Sequence, residues 1–535
     1  MSFLITLDGL SDTAPDGRVL FENLTLSFGR ERTGLVGRNG VGKTTLLRTI
    51  LGEHAPAAGA VTVAGRIAVL RQQLAPPPGA TLADVLGVTA PLAALARIEA
   101  GEARDGDLEG ADWALPLRID AALAEMGLGG IALDRLAATL SGGQLTRAAL
   151  AALIVAEPDV ILMDEPTNNL DADGRAAVAE MLEDWRGGAL VVSHDRALLR
   201  RMDRIVELTG LGARVYGGNY DLYAARKAEE EAAAERELGR AEQAVAQVER
   251  GIQQTRERKA RSDAKGRAER AKRDAPKMLL GARAEKAENT GARQSRLAER
   301  LRAEAEQDLA DAQARIERVR RLAFELPRSG LPDGRLVLAF EDVGFAWPDG
   351  TPVLAGVSFR VTGPARLAVT GPNGAGKTTL IRLATGDLAP TAGRVRRGAP
   401  AVVLDQRASL LRDDETLLEN FRRLNPAADT NAAYAALARF LFRNVQALKP
   451  AVTLSGGERL RAALACALMA ARPPQFVILD EPTNHLDLDS IAAVEAALAA
   501  YDGALLVVSH DAAFLAAVGV EGSVELGRSV REPGT

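Results

Sequence analysis

Two lysines carry the first sign of chemistry. Gly37-Arg-Asn39-Gly40-Val-Gly42-Lys43-Thr44-Thr45 sets a lysine and two hydroxyls behind three glycines, and Gly371-Pro-Asn373-Gly374-Ala-Gly376-Lys377-Thr378-Thr379 repeats the arrangement. Glycines at this spacing let backbone N–H groups converge on phosphate oxygens, and a helix starting at the lysine adds the positive end of its dipole. Lys43 and Lys377 are spaced to reach the β- and γ-phosphates of a nucleotide, and the Thr44 and Thr378 hydroxyls to ligate Mg2+. Apolar runs end in Asp164-Glu165 and in Asp480-Glu481, so two carboxylates stand at each strand tip. Asp164 and Asp480 suit the Mg2+ shell, and Glu165 and Glu481 the polarisation of an attacking water. His194 and His510 follow Val-Val-Ser, each 30 residues after its aspartate, and fit contact with a terminal phosphate.

These groups come in two sets because the chain is internally duplicated. Leu140-Ser141-Gly142-Gly143-Gln144 recurs as Leu454-Ser455-Gly456-Gly457-Glu458. The lysines lie 334 positions apart, the serines 314, the aspartates 316 and the histidines 316. Constant order and near-constant spacing mark two homologous domains, 1–222 and 335–535. The first carries about 20 extra residues between Lys43 and Ser141, read as an insert over about 75–138. Thr33–Val36 and Leu367–Thr370 read as strands before the glycine loops, with helices starting at Lys43 and Lys377. Val160–Met163 and Phe476–Leu479 read as buried parallel strands. The fold class is α/β, with chemistry at the carboxyl ends of strands.

Composition narrows the rest. A 535-residue chain that is 47% hydrophobic and 26% charged is globular. One cysteine, Cys466, and 4 histidines exclude a disulfide scaffold and zinc-cluster spacings. No run of 18 apolar residues reads as a membrane span, and Met1-Ser2-Phe3-Leu4-Ile5 does not open a secretory signal, so a cytoplasmic protein is expected. The segment 223–330 differs in character. Aromatics vanish between Tyr223 and Phe324, and strong helix formers dominate. Pro276, Gly281 and Gly291 interrupt it, which predicts a helical hairpin with its tip around Asp274–Gly291. Residues 250–300 hold 16 Lys/Arg and 7 Asp/Glu, a net +9 against −14 for the remainder of a chain of net −5. Such a segment can be a merely solvated helix face, but a basic tip on an acidic body favours contact with a phosphate backbone. Arg267, Arg270, Lys272, Arg273, Lys277, Arg283 and Lys286 are the candidate RNA contacts. With no aromatics among them, shape and phosphate are the expected readout.

The paired motifs, with Leu-Ser-Gly-Gly-Gln or Leu-Ser-Gly-Gly-Glu between them and a histidine downstream, resemble the ATP-binding cassette ATPases over roughly 420 residues. Two cassettes in one chain, a charged helical linker and Tyr216-Gly-Gly-Asn-Tyr-Asp-Leu-Tyr223 resemble the ABC-F branch in particular. The resemblance implies two cassettes of the P-loop NTPase fold joined by a long α-helical hairpin, with ATP and Mg2+ as cofactors. It assigns Gln72 and Gln406 to the Q-loops, near nucleotide and metal, and Asp171 and Asp487 to the D-loops. It also implies a head-to-tail sandwich. Site one would join Lys43, Asp164, Glu165 and His194 to Ser455, Gly456, Gly457 and Glu458. Site two would join Lys377, Asp480, Glu481 and His510 to Ser141, Gly142, Gly143 and Gln144. In that family the linker is a P-site tRNA interaction motif, so the implied partner is the ribosome, through rRNA and P-site tRNA, for an otherwise monomeric ATPase. The first cassette's extra residues fall where the family inserts an arm. A transporter's ATP-binding subunit and a DNA-repair-type ATPase are the alternatives. The first leaves the basic linker without a role, and the second, in its zinc-bearing form, needs cysteines that are absent.

The family places an aromatic before the glycine loop to stack adenine. Trp347 fits, whereas alignment of Pro15-Asp-Gly17 on Pro348-Asp-Gly350 puts Ala14 there in site one. Base–aromatic stacking is worth about 1–3 kcal/mol. Site one is therefore expected to select adenine less well. In Lys43→Ala and Lys377→Ala variants, ATP-over-GTP preference should be greater in the former, which retains site two; equal preference contradicts this reading.

Overall fold

The structure, a computed structural model, describes residues 3–70, 76–168, 170–210, 212–270, 299–310, 326–405 and 408–527. Gln72, Gln406, Lys272, Arg273, Lys277, Arg283, Lys286 and the hairpin tip expected at 274–291 lie outside the described residues. The chain divides into two compact units. One joins Met1–Leu222 to Leu322–Thr535, and the other is Tyr223–Arg321.

In the first unit both repeats are built alike. The first runs β1 (Ile5–Thr13), β2 (Val19–Phe28), β3 (Arg32–Val36), α1 (Lys43–Ile50), β4 (Ala58–Val63), β5 (Ile67–Leu70), α2 (Leu82–Val85), α3 (Thr89–Glu99), α4 (Leu115–Glu125), α5 (Gly142–Ala156), β6 (Val160–Asp164), α6 (Ala172–Asp184), β7 (Gly188–Val192), α7 (Arg196–Leu199), β8 (Arg204–Thr209) and β9 (Gly212–Gly217). α8 (Tyr220–Arg270) and a helix over 299–310, α9, follow. The second repeat runs β10 (Leu336–Ala346), β11 (Pro352–Thr362), β12 (Arg366–Thr370), α10 (Lys377–Thr385), β13 (Ala392–Arg397), β14 (Ala401–Leu404), α11 (Leu417–Leu424), α12 (Thr430–Arg439), α13 (Gly456–Leu468), β15 (Phe476–Asp480), α14 (Leu488–Ala500), β16 (Ala504–Val508), α15 (Ala512–Ala517) and β17 (Gly522–Glu525).

The main sheets have order β5-β6-β7-β3-β8-β9 and β14-β15-β16-β12-β17, parallel throughout except for β9. Three-stranded antiparallel sheets, β2-β1-β4 and β11-β10-β13, accompany them. β6 and β15 are buried along four residues and emerge only at their terminal aspartate, and β7 and β16 are buried throughout. Strands covered on both faces take continuous apolar sequence, which is why these runs were legible. Register then does the positioning. Asp164 pairs with Val192 and Asp480 with Val508, so each acidic tip lies one strand over from the residue two before the histidine.

The extra residues of the first repeat fall between matching helix caps, Thr81 and Thr416 on one side and Ser141 and Ser455 on the other. They form α3 and the loop to α4, which Arg97 pins through a two-armed bond to Asp107. The segment is thus partly helical, and its helix and loop are tied together.

The second unit, taken by itself, contains the rest of α8, which to Arg270 is 51 residues, and α9. At 1.5 Å per residue α8 spans about 77 Å. Few apolar residues line it, and pairs one turn apart, such as Arg300–Glu304 and Arg302–Glu306 in α9, offset part of that lack. Arg267 and Arg270 lie in the last turns of α8.

Candidate functional site

Helices α1 and α10 begin without a side-chain cap. Their N-cap residues, Gly42 and Gly376, have φ of 104° and 93°, a left-handed turn that glycine tolerates. Helices α5, α13, α6 and α14 are by contrast capped by Ser141, Ser455, Asp171 and Asp487. Bare N–H groups at the ends of α1 and α10 are what an anionic phosphate satisfies. Gly37 and Gly371 let each loop pass its neighbouring chain, since a Cβ would sit 2.4 Å from the Leu208 carbonyl oxygen or 2.5 Å from that of Leu526. Lys43 Nζ donates to the carbonyls of Gly37 (2.7 Å) and Arg38 (3.2 Å), and Lys377 Nζ to that of Gly371 (2.7 Å). Both ammonium groups are thereby aimed along the loop, and burial lowers the pKa of each.

The strand tips bring the acids to these lysines. Thr44 Oγ1 donates to Asp164 Oδ2 at 3.0 Å. Burial raises the pKa of Asp164 and Asp480. Glu165 and Glu481 adopt φ of 49° and 46°, outside the region that side-chain-bearing residues favour. Their amides donate to the carbonyls of Val192 and Val508, each at 2.9 Å, which fixes this conformation twice over. Burial pushes the Glu165 carboxyl up to about 8, with Lys43 opposing and Asp164 adding, and that of Glu481 to about 7, with Lys377 and Arg175 opposing. His194 Nε2 lies 3.3 Å from Glu165 Oε1, and His510 Nε2 lies 3.6 Å from Glu481 Oε1 and 2.8 Å from Lys377 Nζ. Burial, then Lys43, depresses His194 to about 3; burial, then Lys377 and Arg175, depresses His510 to about 4. Both imidazoles are neutral at pH 7. Among the described residues neither ring nitrogen of His194 has a hydrogen-bond partner, and Glu481 Oε2 has none. Buried polar atoms without partners call for one, and a phosphate and a water are groups whose polarity suits these two.

Each half-site meets the opposite repeat. Asp487 Oδ2 accepts from the Asn39 amide at 2.8 Å, while Asn39 Nδ2 donates to the His485 carbonyl at 2.7 Å. Asp171 Oδ2 accepts from the Asn373 amide at 3.1 Å. Burial alone would raise both aspartates, but these bonds and those to the caps of α6 and α14 hold their pKa below the ordinary value. Arg38 Nε pairs with Asp489 Oδ2 at 3.0 Å, and Pro372 stands at the matching place in the other loop. Arg461 on α13 lies in the fields of Asp487, Arg38 and Asp489, which brings the signature helix of the second repeat toward the loop of the first. Ser141 and Ser455 accept from the amides of Gln144 and Glu458, and the side chains of those residues accept in return from the serine amides. Glu458 also accepts from the Ser455 hydroxyl at 2.9 Å.

A family model described as ABC transporter matches residues 21–168 and again 354–484. The tylosin resistance ATP-binding protein TlrC of Streptomyces fradiae is 33% identical over 93% of this chain and 92% of its own length. ATP-binding protein Uup of Escherichia coli (strain K12) is 32% identical over 91% of this chain and 74% of its own. The chain belongs to the ABC-F family. It is accordingly an ATP-binding cassette ATPase with two cassettes and a helical insert between them. The solved structure of the archaeal ribosome recycling factor aABCE1, in complex with ribosomal stalk protein aP1, matches with a TM-score of 0.52 at 17% identity, covering 97% of this chain and 87% of that one. That likeness concerns the fold.

Within this ABC-F chain the cassettes differ before the glycine loops. The Trp347 amide donates to the Thr351 carbonyl and the Ala14 amide to that of Arg18, while the Gly350 and Gly17 amides close the same turns. Ala14 therefore occupies the place of Trp347. Trp347 is edge-on to Phe345 at 5.0 Å, and at the place of Phe345 the first cassette has Asp12, 4% exposed and bonded to His54 Nε2 at 2.7 Å. Sequence reasoning missed Asp12–His54, Arg38–Asp489 and the backbone strain at the two glutamates. The two ion pairs have no counterpart in the other repeat, and the strain, though it recurs at Glu165 and Glu481, is a backbone property that residue type does not signal.

Folding raises the Glu165 carboxyl well above its ordinary range, so the folded chain holds a proton that the unfolded chain releases. Stability from this group is complete below the ordinary carboxylate range and is lost as pH rises through about 8. His194 works oppositely, losing stability as pH falls below 6.5, but it is common to both proteins in a comparison of Glu165→Gln with the parent. Measured without nucleotide or metal, the Tm of Glu165→Gln relative to the parent should rise by several degrees from pH 5 to pH 8. A difference that does not change with pH contradicts a buried, protonated carboxyl.

Proposed function

We propose that this ABC-F ATPase binds two ATP with Mg2+ between its cassettes, and in that closed form engages the ribosome near P-site tRNA through its helical insert, in the cytoplasm. Hydrolysis then reopens the cassettes. Lys43 and Lys377, with the amides that open α1 and α10, would hold the phosphates. Thr44 with Asp164, and Thr378 with Asp480, are hard oxygen donors of the kind Mg2+ takes. Among the described residues no group of three or more His, Cys, Asp or Glu could hold a metal alone, so the ion would share its shell with ATP phosphates. Bound Mg2+ neutralises charge developing on the transferred phosphoryl group. Glu165 and Glu481 would orient water, and His194 and His510 the γ-phosphate.

The observation that carries the ribosome reading is the separate helical unit, whose sequence concentrates net positive charge on an otherwise acidic chain. Neutralising a nucleic-acid backbone is a use that suits such a segment. Among the described residues no helix is long and apolar enough to cross a membrane. Translation regulation, stalled-ribosome rescue and antibiotic protection are the forms open to that role, and the relative named for tylosin resistance supports the last.

A Glu165→Gln/Glu481→Gln chain in ATP should sediment with ribosomes, and binding should weaken steeply with salt. Remaining at the top of the gradient contradicts the proposal. Changing Arg270, Lys272, Arg273 and Lys277 to Glu should lower that binding at least tenfold while ATP hydrolysis without ribosomes is retained.

A further inference from the structure

Between the two histidine loops lies an ion cluster that phosphate chemistry does not use. Asp195, next to His194, caps α7 through the amides of Ala197 and Leu198 and accepts from Arg175 Nη1 at 3.1 Å. Arg196 turns to the other cassette. Its Nη1 and Nη2 donate to the two carboxylate oxygens of Glu495 at 2.8 and 2.9 Å, and each side chain is only 13% exposed. Glu495 stands two turns along α14 from Asp487, the aspartate that takes the Asn39 amide. Asp511, next to His510, lies in the field of both Arg196 and Glu495. The cluster therefore touches the histidine loop of site one, borders that of site two and is continuous with the D-loop helix that finishes site one.

The cluster is one-sided. At the 316-residue offset, Arg196 matches Ala512, Arg175 matches Ile491 and Glu495 matches Ala179. A two-armed guanidinium–carboxylate pair fixes orientation as well as distance. Buried as it is, it cannot lose one partner without stranding the other's charge. A rotation of one cassette against the other must break both bonds together, so the pair admits one relative placement and opposes intermediate ones.

We propose that Arg196 and Glu495 are positioning residues that clasp the histidine loop of the first cassette to the D-loop helix of the second, so that the two ATP sites turn over together. The proposal deepens the composite-site assignment and rests on it, but it is independent of any ribosome role.

The test is the steady-state ATPase rate of the full chain against ATP concentration for the parent, Arg196→Ala, Glu495→Ala and the double variant, with Arg196→Lys and Glu495→Gln as milder changes. The parent should show a Hill coefficient above 1, up to about 2 for two coupled sites. Each single alanine variant should fall to about 1 with kcat reduced several-fold, and the double variant should match the singles within about twofold, since one shared interaction is lost once. Arg196→Lys should restore part of the cooperativity, which a general loss of packing would not allow. Should the alanine variants fail to fold, the Lys and Gln variants carry the same comparison. Unchanged cooperativity, or effects that multiply in the double variant, overturns the clasp. ATP binding separates this from a failure of the site assignment: if Ser455→Arg leaves binding at Lys43 intact in a Lys377→Ala chain, the composite reading fails, whereas if Lys43→Ala and Lys377→Ala each merely halve the parent rate, the sites turn over independently and the clasp alone is overturned.

Discussion

One backbone amide in each glycine loop crosses to the other cassette, that of Asn39 to Asp487 and that of Asn373 to Asp171. Each aspartate spends its second oxygen capping its own helix, α14 or α6, so the crossing bond is stiffly mounted. Through these bonds a change in either glycine loop reaches the opposite cassette, and the sandwich depends on them.

Around that constraint the chain departs from the stable solution wherever phosphate chemistry needs it to. Helices α1 and α10 start uncapped while their neighbours are capped, and Glu165 and Glu481 hold a left-handed backbone, a conformation costing about 1–2 kcal/mol per residue. Burial raises the Glu165 carboxyl to about 8 and that of Glu481 to about 7, and it keeps both histidines neutral at pH 7. Continuous buried strands in both main sheets absorb these costs, and the repetition of each departure at the aligned position ties it to function.

What the sequence made legible follows from repetition and burial. The glycine loops, acidic tips and histidines stood out because each occurs twice at nearly one offset, and β6, β7, β15 and β16 because strands buried on both faces are continuously apolar. The fold class followed from those runs. The clasp between Arg196 and Glu495, the pair of Arg38 and Asp489 and the Asp12–His54 bond were illegible for the opposite reason. None has a counterpart at the aligned positions, and the first two join partners 299 and 451 residues apart, which leaves no spacing to read. Trp347 and Ala14 are a middle case, since a short alignment found the difference and the matching turn bonds supply its geometry.

The central claim is that each ATP site is completed by the other cassette, and ATP binding to Lys377→Ala tests it directly. With site two disabled, the remaining ATP should sit on Lys43 and face Ser455. Adding Ser455→Arg should abolish that binding, and adding Ser141→Arg should leave it unchanged. The reverse pattern, with Ser141→Arg abolishing binding, would mean that each cassette is self-contained and would contradict the account.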